Sequence, residues 1–131
     1  MVFKVVSDNV IKCAIWVALG SVMSSFAADD VAAARELTVR QCSQCHTFDK
    51  GEKHGQGPNL FGLLGREAAA VPGFAYSEGI KEALKGKIWD TKLLDAWLTD
   101  TIAVAPKAQM IYWQDDANVR AALIRFFESQ R

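Results

Sequence analysis

The chain predicts an all-α domain, and three observations carry that expectation. Leu93, Leu94, Trp97, Leu98 and Ile102 recur on one helical face. Val119, Ala122, Leu123, Phe126 and Phe127 repeat at the i, i+3, i+4, i+7, i+8 spacing of an amphipathic helix. No stretch after Ala28 alternates apolar with polar residues in the manner of a half-buried strand. The 131 residues suffice for one domain, with no internal repeat and no second domain.

The first residues are expected to lie outside that domain. Lys4 and Lys12 precede an apolar run from Cys13 to Met23, followed by the small residues Ser24, Ser25, Ala27 and Ala28. This order of basic, apolar and small describes a secretory signal peptide. Ser25 and Ala27 suit the −3 and −1 places, so residues 1–27 are expected to be removed, leaving a domain over 28–131. The 16 uncharged residues from Cys13 to Ala28 fall short of the roughly 20 apolar residues that a membrane anchor needs. Without Lys4, Lys12 and Asp8, the 15 basic and 15 acidic residues become 13 and 14. A nearly neutral chain argues against nucleic acid as a partner, because phosphate binding shows a basic surplus.

Asp29 and Asp30 place acid at the start of a run of strong helix formers, and a helix is expected from about Asp30 into Cys42. Thr47 to Gly65, with five glycines and Pro58, reads as loop able to follow the edge of a flat group. Val71 to Tyr76 is a turn with two aromatics, and Ser77 to Leu84 a short helix ended by Gly86. Asp90 caps the helix from Thr91, and Asp115-Asp116 opens the last one. Between them, Ile102 to Trp113 is expected to be a loop.

The chemistry concentrates at Cys42-Ser43-Gln44-Cys45-His46. A zinc site needs four ligands, usually with a second cysteine pair, and no cysteine follows Cys45. A thioredoxin-like pair belongs beside a βαβ pattern, which is absent. A structural disulfide between cysteines this close would close a very small loop, and the pattern with its histidine reads as covalent attachment of a c-type haem, with each sulfur adding to one of two vinyl groups on one porphyrin edge. His46 is then placed to give the iron one axial nitrogen. Both motif cysteines are consumed, which suits an oxidising compartment. After removal of the leader, a second axial ligand could come from His54 or from Met110; thioether opposite histidine raises the reduction potential, as an electron carrier requires.

These residues resemble the class I cytochromes c, the mitochondrial kind and its soluble bacterial relatives. The likeness runs through Cys42–Thr47, Lys53–Leu60, Gly62–Arg66, Pro72–Tyr76, Trp89 and Pro106–Tyr112. It implies the class I fold, with N- and C-terminal helices packed together and short helices and loops wrapping one haem. It further implies that Met110 is the second iron ligand and His54 a structural loop histidine. Pro58 then packs behind His46 with a neighbouring carbonyl on the imidazole, while Arg66, Tyr76 and Trp89 surround a buried propionate.

Departures from the family pattern are specific. Trp97 stands where a tyrosine approaches the methionine sulfur, Lys107-Ala108-Gln109 replaces Gly-Thr-Lys, and Thr38 replaces an aromatic between the first and last helices. Gln41, Gly55, Ile102 and Gln109 fall at lysines that ring the haem edge, while Lys50 and Lys53 remain. The expected protein is a soluble, monomeric, periplasmic single-electron carrier, not an enzyme. Its partners would be redox proteins of a respiratory chain or photosynthetic apparatus: a quinol-oxidising complex, terminal oxidase, dehydrogenase, peroxidase or reaction centre. The alternatives are a haem subunit bound tightly to one periplasmic dehydrogenase, and an open-site ligand-binding or peroxidatic haem protein.

Overall fold

The computed structural model describes residues 28–131, so the leader expected at 1–27 lies outside the described residues. Helix α1 covers 28–42, and α2 Glu78–Leu84, α3 Thr91–Thr99, α4 Thr101–Val104 and α5 Ala117–Glu128 follow. Among the described residues there is no strand; two isolated bridges, Glu67 with Ile88 and Asp100 with Trp113, are the nearest approach to sheet. The all-α expectation holds.

Each helix from α2 on starts where a short polar side chain can accept a backbone N–H that the helix leaves free. Ser77 Oγ accepts from Ile80, Asp90 Oδ1 from Leu93 and Asp116 Oδ1 from Asn118. Gly86, at φ +70°, follows the end of α2, a left-handed step that glycine takes without a Cβ penalty.

The helix expected from Thr91 differs from its pattern. Ile102 shares the apolar spacing of Leu94 and Leu98, yet the helix breaks at Asp100, whose backbone is extended at φ −163°, ψ 107°. Its Oδ1 accepts from Ile102 and Ala103 and starts the one-turn α4. An aspartate that offers its own acceptor to the backbone competes with the continuing helix. The loop expected over Ile102 to Trp113 therefore begins as a helical turn.

The core gathers Ala34 of α1, Leu84 of α2, Leu94 and Leu98 of α3, and Leu123 and Phe127 of α5. Arg120 ties α5 to α3: its Nε donates to Asp95 at 2.8 Å, and another guanidinium nitrogen donates to the carbonyls of Gln114 and Asp115. Thr38 is fully buried, its hydroxyl donating to Ala34 one turn back at 2.8 Å. The aromatic contact near the C-terminus comes from Phe48 instead, edge-on to Phe126 at 5.9 Å, while Gln130 donates to the Phe48 carbonyl.

Candidate haem site

α1 ends on Cys42, and the backbone folds over at once: the Cys45 and His46 amides both donate to the Cys42 carbonyl, at 3.2 and 3.0 Å. This turn sets Cys42, Cys45 and His46 on the wall of one cavity of about 510 Å³, a volume in the range of small-molecule and cofactor pockets. His46 Nδ1 lies 2.8 Å from the Pro58 carbonyl. A carbonyl only accepts, so Nδ1 carries the proton and Nε2 keeps its lone pair, the form a metal-binding imidazole needs. Burial lowers the His46 pKa and the Pro58 bond opposes that shift.

Glycine is required behind this histidine. A Cβ on Gly57 would lie 2.3 to 2.8 Å from the imidazole ring, closer than any packing tolerates. Gly57→Ala is expected to push His46 off Pro58 and destabilise the haem-loaded protein by about 3 kcal/mol, the upper end of ordinary overpacking costs. Guanidinium unfolding followed at the haem band checks this, and a variant unfolding with the wild type would show that the backbone yields there.

The Cys42 thiol is pushed up to about 11, chiefly by burial and secondly by Cys45. Thiolate is the form that binds metal and exchanges disulfides, so Cys42 is poorly suited to either role at neutral pH. Among the described residues no three His, Cys, Asp or Glu side chains cluster as a metal site.

Arg66, Tyr76 and Trp89 line the same cavity. Gly65 and Arg66 run beside Trp89, the Gly65 amide donating to the Trp89 carbonyl and the Trp89 amide to the Arg66 carbonyl, at 2.7 and 2.9 Å. One guanidinium nitrogen of Arg66 donates to the Asn59 and Phe61 carbonyls, but its buried Nε has no partner. Burial lowers the Arg66 pKa and raises that of Tyr76. Arg66 and Tyr76 bring a guanidinium and a phenol to the wall of a cavity otherwise lined mostly by apolar side chains, donors that an anion held there would meet. A haem carboxylate is such an anion, so the residues present fit the group that the cysteines imply.

On a further wall stand Met110 and Trp97. Trp97 is buried and edge-on to Trp89, with ring centroids 5.7 Å apart. The Met110 segment is fastened by Thr101, whose buried hydroxyl reaches the Met110 carbonyl at 2.9 Å, and by Tyr112, whose hydroxyl donates to Gln41 Oε1.

All eight residues expected at the site, Cys42, Cys45, His46, Pro58, Arg66, Tyr76, Trp89 and Met110, therefore line one cavity. His54 does not. Its Nδ1 accepts from the Asn59 amide at 3.0 Å and its Nε2 donates to the Pro72 carbonyl at 3.0 Å, so both ring nitrogens are engaged in holding loops together. Two residues of consequence were not among those expected at the site, although Asn59 lies within the Lys53–Leu60 stretch that carries the family likeness. Asn59 is bonded through its amide, its side chain and its carbonyl, joining Thr47, Asp49, His54, Phe61 and Arg66. In the sequence, Thr101 looks like one more polar position in the helical pattern that runs from Thr91 to Ile102.

No protein-family model matches the chain. Known proteins do. Cytochrome c of Chlamydomonas reinhardtii is 39% identical over 93 residues, covering 69% of this chain and 81% of that protein. Cytochrome c of Sesamum indicum is 36% identical over 83 residues, 63% of this chain and 73% of its own length. Cytochrome c2 of Afifella marina is 38% identical over 84 residues, 63% and 68% respectively. With the all-α fold and the two cysteines turned onto a cavity of cofactor size, this likeness places the chain in the class I c-type cytochromes, the haem electron carriers that hold one haem c through cysteine thioethers.

Proposed function

We infer that the chain is a periplasmic carrier of single electrons, exported by cleavage after Ala27, with His46 and Met110 as the two protein ligands of the iron. The observation that carries this reading is the convergence of Cys42, Cys45, His46 and Met110 on one cavity. When bound, the haem supplies a one-electron iron couple. The chain's own residues do the rest. Pro58 fixes the tautomer and orientation of His46. Arg66 and Tyr76 present donors to a carboxylate, and Trp89 and Trp97 keep water from that side. No substrate is transformed.

The exposed residues around the cavity mouth include Gln56, Ala75, Gln109 and Ile111, all uncharged. Ile111 and Trp113 alternate along one extended segment and stand 72% and 66% exposed. A mouth of this kind favours a redox partner that offers an apolar, weakly charged face, whether quinol-oxidising complex, oxidase, peroxidase, dehydrogenase or reaction centre. Redox encounters of this type use small interfaces, and charge steering would make their rates fall steeply with salt. Stopped-flow oxidation of the reduced protein by a membrane terminal oxidase is expected to change by less than about threefold between low and physiological ionic strength. A fall of about a hundredfold would sink the apolar-docking reading. The same exposed pair favours, as the second reading, a subunit held by one dehydrogenase; co-elution with a larger protein on size exclusion of the native extract would select it.

A further inference from the structure

We propose that Thr101 is a positioning residue for the iron's second ligand, its hydroxyl acting as a latch that holds the Met110 segment closed over the haem. The inference rests on Met110 being that ligand and assigns what keeps it in place.

Thr101 is fully buried, one of two such polar residues among those described. Its hydroxyl has two carbonyls in reach, Met110 at 2.9 Å and Tyr112 at 3.2 Å. The Tyr112 carbonyl already accepts from the Thr101 amide at 3.0 Å, and a hydroxyl has one proton to give. That proton goes to Met110. The hydroxyl oxygen in turn accepts from the Tyr112 amide at 3.0 Å. One side chain thus satisfies the backbone on both sides of Ile111, including the carbonyl of the ligand residue itself. Among the described residues no backbone amide reaches that carbonyl.

The neighbouring attachments act elsewhere on the segment. Arg120 holds Gln114 and Asp115 on its C-terminal side. On its N-terminal side, Gly79 of α2 approaches Lys107 so closely that a Cβ there would meet it at 2.4 Å. Met110 lies between these anchors. If the segment swings out, water can serve the Met110 carbonyl and the Tyr112 amide, so the Thr101 bonds stabilise the closed arrangement alone. The hydroxyl then biases a two-state equilibrium between a methionine-closed and an open iron. An added ligand that needs the open state binds in proportion to its population.

The test is imidazole binding to the oxidised, haem-loaded protein, read with the sulfur-to-iron charge-transfer band at the red end of the visible spectrum. Thr101→Val is expected to bind imidazole about tenfold more tightly than the wild type and to lose part of that band, since a buried hydrogen bond present only in the closed state is removed. Thr101→Ser should stay within about twofold of the wild type, because it keeps the hydroxyl. If the valine variant folds poorly, Thr101→Ala against Thr101→Ser makes the same comparison, as both lack the methyl and differ in the hydroxyl. A wild-type band combined with imidazole affinity unchanged in the valine or alanine variant overturns the latch while leaving Met110 as ligand. A wild-type protein without the band overturns the ligation and the latch together.

Discussion

Met110→Ala, loaded with haem, is expected to lose the sulfur-to-iron charge-transfer band, to bind imidazole without competition from the protein, and to show a reduction potential lower by about 0.1 V or more. Thioether is a neutral, soft ligand that favours ferrous iron; water in its place favours ferric, so the potential falls, within the ~0.8 V that axial ligands command. Spectroelectrochemical titration reads the potential and the band together. An unchanged potential would mean that Met110 is not on the iron. His54 is the obvious substitute on composition, yet both of its nitrogens are engaged with Asn59 and Pro72. Freeing it would cost those two bonds and open the loops they join.

Without haem, the chain is expected to lose most of its helix. The apolar side chains that line the cavity of about 510 Å³, Leu84, Leu94, Leu98, Leu123 and Phe127 among them, would then face water or nothing in place of a packing partner. The ~5–15 kcal/mol that holds a whole domain together leaves little margin for that loss. Polar groups point the same way, because the Arg66 Nε is buried with no protein partner, and an unsatisfied buried donor costs about 1–3 kcal/mol. Far-UV circular dichroism of the polypeptide made without haem checks this. Helix content equal to that of the loaded protein would show that α3, α5 and their shared leucines suffice alone.

Much of the fold was legible because its signals are local. The caps at Ser77, Asp90 and Asp116 are single side chains acting on amides two or three residues ahead, and the stripe of α5 is a period written in the sequence. The break at Asp100 was not legible. Leu94, Leu98 and Ile102 keep a helical spacing, and nothing nearby says that Asp100 will cap a new turn while Thr101 and Trp113 come alongside. Thr38 likewise leaves the first and last helices without the aromatic of the family pattern, whereas Phe48 and Gln130 supply contacts near the C-terminus from positions no local pattern marks.

What the sequence determined by itself is the attachment chemistry. Two cysteines and a histidine within five residues meet a spacing set by the porphyrin, and any backbone that makes the Cys42–His46 turn presents them together. The tertiary structure alone decided what lies further out: the unpartnered Nε of Arg66 and the Thr101 hydroxyl on the Met110 carbonyl. The reason is physical. Covalent spacing belongs to neighbours along the chain, but the partner of a buried polar atom depends on which distant segment the packing brings within 3 Å of it.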